Sequence, residues 1–228
     1  MKKCLIYIYL LLLTSLCCLQ AGAVSSEIRS LSVSDGLPDL VINTIYKDSK
    51  GYVWMGTNTS VERFDGIRLE HYMVEGSNEN LKRVFALVEM PGNELWVGTG
   101  MGLFRLADDA EKLERLAPEM ITSGVHAFCK LGDVLYVGTE KGLYVYKGGV
   151  FEHVLVDKNI FSRANFVTGM VEGENGILWL STMGGLKSLR LSDQSITSFS
   201  DKLAKNGQNL SFYNITRIGS KIFMGTMT

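Results

Sequence analysis

The chain carries three histidines, four cysteines and 24 carboxylates, and these limit the chemistry that its 228 residues can be asked to perform. Zinc sites are built from histidine and cysteine ligands at short, fixed spacings. His71, His126 and His153 are far apart in sequence and form no such pair. His126 and Cys129 are three residues apart. On a strand an odd offset puts them on opposite faces, so they cannot easily share a metal. There is no phosphate-binding lysine loop, no strand-linked dinucleotide glycine fingerprint and no serine nucleophile elbow. Gly98-Thr99-Gly100-Met101-Gly102 is dense in glycine but falls at a turn of a repeat. A glycosidase-like pair needs two carboxylates facing each other at roughly 5–9.5 Å, a condition that counting cannot test. Glu140 is the most suggestive carboxylate, because it follows a strand. Its neighbour Lys141 marks a solvated turn instead. No catalytic residue, metal site or cofactor is assigned, and the expected class of activity is binding.

The elements that would position a binding site are set by a repeat. An aromatic, an apolar residue, a small residue and threonine recur as Trp54-Met55-Gly56-Thr57, Trp96-Val97-Gly98-Thr99, Tyr136-Val137-Gly138-Thr139, Trp179-Leu180-Ser181-Thr182 and Phe223-Met224-Gly225-Thr226. The aromatics are 42, 40, 43 and 44 residues apart. A period of about 40–45 residues with strand patterning is the mark of a β-propeller blade. Seven residues after the aromatic comes Val61, Leu103, Leu143 or Leu186, preceded by glycine in three copies and by Ser60 in the first. This constant offset predicts a tight hairpin of fixed register. Leu95 and Val97 alternate with Trp96 and Gly98, so both faces of the strand are apolar. A strand without a polar face is buried on both sides, as one sandwiched between neighbouring blades would be. The small residue is expected to make room for a bulky group of the next blade.

The predicted fold is all-β: a propeller of four-stranded antiparallel blades, incomplete, with about four and a half blades present. Blade one is read at 40–47, 52–57, 60–65 and 68–73; blade two at 83–89, 93–99, 102–107 and 112–116. Blade three is read at 124–131, 133–139, 142–147 and 150–154; blade four at 165–172, 176–182, 185–191 and 195–199. The blades therefore occupy about 40–73, 83–116, 124–154 and 165–199, with a fifth over 213–228. The fifth repeat stops after its second strand. Ile28–Val33 is expected to be a ring-closing strand. Two readings stay open: a fragment of a longer propeller, and a five-bladed ring closed by 28–33.

Residues 1–23 read as a secretory signal peptide. Lys2 and Lys3 precede the apolar run Leu5–Leu19, and Ala21-Gly22-Ala23 fits a cleavage site. The run is short for a membrane span. The propeller domain is placed at 24–228, and the chain is expected to be exported. The net charge of −1 falls to about −3 without Lys2 and Lys3, which argues against nucleic acid as a partner. Cys4, Cys17 and Cys18 lie in the signal, so Cys129 is left without an intrachain disulfide partner. Its apolar neighbours point to a buried, inert thiol. Ligand recognition is expected in the variable loops 74–82, 117–123, 155–164 and 200–212, which Arg83, Arg163 and Tyr213 border. The ligand-binding residues themselves are unknown at this level.

The first blade is more specific than a generic propeller. Ser34-Asp35-Gly36-Leu37-Pro38 leads to Val41–Ile45, then Asp48, Gly51, Val53–Thr57 and Arg63-Phe64-Asp65-Gly66. This run resembles the two-component regulator propeller repeat. The resemblance covers essentially all of 24–228, weakens in the third and fifth copies, and departs from the usual residues at Ser60-Val61 and Ser181. It implies the periplasmic sensor half of a membrane-bound, often hybrid, histidine kinase that responds to an oligosaccharide. It further implies a downstream kinase region in the same protein and a homodimeric receptor. No phosphorylatable histidine motif occurs in these residues, so this chain is not itself expected to be an enzyme. The rival expectations are a secreted glycan-active propeller enzyme and a non-catalytic interaction scaffold.

Overall fold

A computed structural model describes residues 30–74, 81–199 and 210–226. The expected signal peptide lies outside the described residues. The chain divides into two units, Met1–Leu31 and Ser32–Thr228; in the first, only Ser30 and Leu31 are described.

Four antiparallel sheets of four strands and one two-stranded hairpin follow in chain order. Blade one is β1 (Thr44–Lys47), β2 (Val53–Gly56), β3 (Val61–Phe64) and β4 (Leu69–Tyr72). Blade two is β5 (Val84–Met90), β6 (Glu94–Thr99), β7 (Gly102–Leu106) and β8 (Glu114–Arg115). Blade three is β9 (Val125–Leu131), β10 (Val134–Thr139), β11 (Gly142–Lys147) and β12 (Val150–Val154). Blade four is β13 (Val167–Glu172), β14 (Ile177–Thr182), β15 (Gly185–Arg190) and β16 (Ile196–Ser198). The hairpin is β17 (Phe212–Ile218) and β18 (Lys221–Thr226). Within each sheet the strands pair in sequence order, as a meander does. The fold is an incomplete β-propeller.

The threonine of the repeat explains the constant hairpin offset. Thr99 Oγ1 donates to the Gly102 carbonyl at 3.0 Å and accepts from the Met101 N–H at 3.0 Å. Thr139 repeats this with Gly142 (2.8 Å) and Lys141 (3.1 Å), and Thr182 with Gly185 (2.6 Å) and Gly184 (3.1 Å). One buried hydroxyl thus ties together two backbone groups of the two-residue turn. The glycine-dense run 98–102 is this turn in blade two.

The two apolar faces of each motif strand feed different layers of core. Leu95 and Val97 pack with Trp54, Val61 and Tyr72 of blade one, whereas Trp96 packs with Val125, Leu135 and Val137 of blade three. Tyr136 in turn meets Val167, Leu178 and Leu180 of blade four. The core is therefore a series of slabs between blades, as expected for strands buried on both sides. The small residue of the motif admits the next blade. A Cβ on Gly56, Gly98 or Gly138 would lie 2.5–2.8 Å from a methyl of Val84, Val125 or Val167.

Two expectations are corrected. Residues 30–33 form no strand. Ser32 instead caps a 3₁₀ turn at Val33–Asp35, its N–H and hydroxyl both bonded to Asp35 Oδ2 at 2.9 and 2.8 Å. This local side-chain pairing competes with strand formation. The strand expected at 112–116 shortens to Glu114–Arg115. Leu113 gives its N–H to the Met73 carbonyl of blade one, and Ala117 takes a left-handed conformation at φ 49°.

Candidate functional site

The first strand of a blade is the one nearest its counterparts in the neighbouring blades, so β1, β5, β9, β13 and β17 converge toward the axis. In β5 the register jumps from Val84↔Thr99 to Ala86↔Gly98, leaving Phe85 unopposed. The same shift frees His126 in β9, Thr168 in β13 and Tyr213 in β17. In blade one Asn43 stands at the corresponding offset and donates its N–H to the Gly56 carbonyl at 2.8 Å. Such β-bulges bend a strand and re-aim a side chain. Here they bring Phe85, His126, Thr168 and Tyr213 to a cavity of about 400 Å³ that Asn43 also lines, so that each repeat contributes one residue at this position. Arg83, Phe166, Met183 and Asn214 complete its lining. A volume of this size suits a small-molecule site.

The walls of the cavity are aromatic and its rim is polar. The His126 ring lies 4.1 Å from that of Phe85 and 4.7 Å from that of Phe166, centroid to centroid. The Arg83 guanidinium lies 5.9 Å from the Phe85 ring. His126 Nε2 is 3.2 Å from Glu140 Oε1. Burial pushes the His126 pKa below its usual value, the Glu140 carboxylate opposes this, and the charge of Arg83 adds to the lowering. Near neutral pH the ring is therefore uncharged and presents an apolar face. Asn43 Nδ2 donates to Asn58 Oδ1 at 3.2 Å, and Thr168 Oγ1 donates to the Phe212 carbonyl at 2.6 Å. Backbone strain accompanies the site. Lys82 and Arg83 both adopt positive φ, at 49° and 73°. The Asn58 carbonyl holds the Arg83 N–H at 2.7 Å, and the Arg83 carbonyl accepts from Gly100 at 3.0 Å. A side chain on Gly100 would strike the Lys82 carbonyl, at 2.2 Å from its Cβ.

Of the residues expected to border a site, Arg83 and Tyr213 line the cavity. Arg163 is not in its lining and bonds Ser211 Oγ at 3.2 Å. Loops 74–82 and 200–212 fall largely outside the described residues. His126, to which the sequence assigns no site, lines the cavity. Cys129 sits against the slab between blades three and four, where burial pushes its thiol pKa up to about 11. Glu140, read as a solvated turn residue, is 42% exposed and bound to His126. His153 Nε2 is 2.8 Å from the Lys141 carbonyl, and His71 Nδ1 is 2.8 Å from Glu62 Oε1. Among the described residues no group of three or more His, Cys, Asp or Glu is placed to hold a metal.

Sequence reasoning missed Asn43, Phe85, Phe166 and Thr168. A signal was present. The bulge residue lies 10 or 11 positions before the motif aromatic in every repeat. Valine precedes it in blades two to four, yet its own identity changes each time. A position that varies inside an otherwise constant repeat marks a surface that the repeat presents rather than one it packs. Two further clefts, of about 490 and 480 Å³, lie between blades one and two and between blades two and three. In the first, Arg63 is paired with Glu70, and Asp108 with Lys50. Arg63 also packs on Tyr52 and Trp54, 4.7 and 5.6 Å from their rings.

Comparison with known proteins agrees with this architecture. Residues 36–59 match the model of the two component regulator propeller family. No curated protein matches the chain. The chain superposes on an extracellular domain assigned to the hybrid two component system BT3049 of B. thetaiotaomicron, with TM-score 0.71 and 21% identity, covering 87% of this chain and 29% of that one. It superposes on that assigned to BT4673 of the same organism with TM-score 0.69 and 20% identity, covering 82% and 25%. A streptogramin B lyase gives TM-score 0.60 and 12% identity over 83% of this chain and 63% of the other. The chain thus spans about a quarter of the length of the two extracellular domains. At these identities the likeness is one of fold. The family match falls on the lead and first hairpin of blade one: residues 36–59 carry a two component regulator propeller repeat, and the Trp-Met-Gly-Thr motif within it recurs in four related copies along the chain.

Proposed function

We propose that this chain is a ligand-sensing propeller segment of an exported two-component regulator, and that the cavity at the axis receives an oligosaccharide-like signal. The observation that carries this reading is the convergence of one variable residue from each of five repeats on one cavity. A scaffold that keeps its packing residues constant and changes only the side chains aimed at one point is arranged for recognition. Aromatic faces at Phe85, His126 and Phe166 offer platforms for the C–H faces of sugar rings. Amide and hydroxyl groups at Asn43, Asn214 and Tyr213 offer partners for sugar hydroxyls. The matched repeat is named for two component regulators, and two proteins of similar fold are named as extracellular domains of such systems. The role is non-catalytic in this segment. Occupancy would be passed to a kinase region of the same protein, in a homodimeric receptor at the periplasmic face of the membrane. Among the described residues no helix is long and apolar enough to cross a membrane.

Differential scanning fluorimetry against a panel of plant, host and microbial oligosaccharides tests the reading. A ligand that binds only the folded chain raises its Tm with concentration. The expected result is a rise with at least one member, abolished in Phe85→Ala and His126→Ala variants that retain the wild-type circular dichroism spectrum. A shift that survives both substitutions, or none across the panel, overturns it.

A further inference from the structure

Resting on that reading, we infer that the axial cavity selects an acidic saccharide, with a sugar carboxylate held by Arg83 and the sugar ring laid on the Phe85–His126–Phe166 wall. The charge of the lining carries the inference. Among the described residues that line the cavity, Arg83 is the only one charged at neutral pH. No described carboxylate lies within ion-pair distance of its guanidinium. Among the described residues the one hydrogen bond of its head group, Nε to Asn58 Oδ1 at 3.4 Å, is long and neutral. Among the described residues its two terminal nitrogens meet no acceptor, which leaves them for a planar anion of the kind a guanidinium binds in bidentate fashion.

Arg83 is also held where an anion could reach it. Its left-handed backbone is fixed by the hydrogen bonds to Asn58 and Gly100, and strain of this kind is kept where surroundings over-determine it. The guanidinium leans over Phe85 at 5.9 Å, and Phe85 is 4.1 Å from His126, so the cation stands at the end of the aromatic wall. Glu140 reaches this wall through its contact with His126. Its negative charge disfavours an anionic group at that end, so the geometry places the bound carboxylate at Arg83.

Isothermal titration of the full chain with trimers of galacturonate, glucuronate, mannuronate and guluronate, each beside its carboxyl-reduced neutral counterpart, tests this. At least one uronate should bind more tightly than its neutral match. Arg83→Gln should weaken that uronate by roughly 30-fold or more, the loss that follows removal of one partner of a hydrogen-bonded charge pair. It should leave the neutral sugar unchanged, and raising salt should weaken the uronate alone. Equal binding of acidic and neutral sugars with no effect of Arg83→Gln overturns the acidic selection while leaving the cavity reading intact. Binding that Phe85→Ala does not alter, or no binding by any trimer, overturns both.

Discussion

A methyl group is the scale at which the blades discriminate. Gly98 faces Val125 so closely that an added Cβ would sit 2.8 Å from its Cγ1 and 2.9 Å from its carbonyl oxygen, and neither can retreat without moving β9. Gly225 occupies the same motif position in the last hairpin and has nothing within 4 Å. Gly98→Ala is therefore expected to destabilise the fold by about 1–3 kcal/mol, the usual cost of overpacking a filled core. Gly225→Ala should stay within about 0.5 kcal/mol of wild type. Urea titration of the two variants side by side checks both. His126 gives a second prediction at this scale. Its folded pKa lies below the 6.5 of an ordinary histidine because burial penalises the cation. The unfolded chain then takes up a proton first. This contribution to stability is whole above about pH 6.5 and is lost as pH falls from there to the lower folded value. Stability measured between pH 7.5 and 5 should decline, and His126→Gln should flatten that decline. Asp39, Asp65 and Asp108 are also shifted below their ordinary 3.8, by backbone or side-chain hydrogen bonds, and act only at lower pH.

At the scale of the element, the hairpin between the second and third strands is held by one hydroxyl. Thr139 Oγ1 serves both the Gly142 carbonyl and the Lys141 N–H, and it is fully buried. Valine has nearly the same shape but removes the hydroxyl that both groups contact. Thr139→Val should cost about 1–3 kcal/mol, the penalty of a buried polar group deprived of its partner. Hydrogen exchange should localise the effect to β10 and β11, and Thr139→Ser should recover most of the loss. Much of this element level was legible before any coordinates. The offset of seven residues announced the turn, the alternation of Leu95, Val97 and Trp96 announced burial on both faces, and the small residue announced the approach of the next blade. The bulge was not legible in this way. Nothing in the local pattern of Val84-Phe85-Ala86 says that Phe85 leaves the ladder, since that depends on how β5 and β6 share their hydrogen bonds.

For the whole molecule, the two ends of the arc differ from its middle. The motif aromatics Trp54, Trp96 and Tyr136 are buried by the blade that follows each, whereas Phe223 is 49% exposed and Ile218 66% exposed. On the first blade Ile45 is 67% exposed, while Leu87, Met170 and Ile215 at the same register position are buried. These are faces built to be covered, and β18 adds an unpaired edge beside one of them. Apolar faces and open strand edges of this kind drive association. Sedimentation velocity of the 228-residue chain should show concentration-dependent self-association. Phe223→Glu should shift it toward monomer without lowering Tm, because that side chain lacks a following blade to pack against among the described residues.

The sequence by itself determined the blade. Strand alternation, turn chemistry and the repeat length are short-range properties, written in neighbouring residues and copied five times, so each copy reports on the others. Only the tertiary structure decided which residues form the site. Asn43 and Tyr213 are separated by four repeats in the chain, and they meet because five first strands converge on one axis. That convergence follows from slabs of core packed between blades, with a shift of register in four of the five first strands turning one side chain inward. The contacts that create the cavity are all long-range, and no window of sequence contains them.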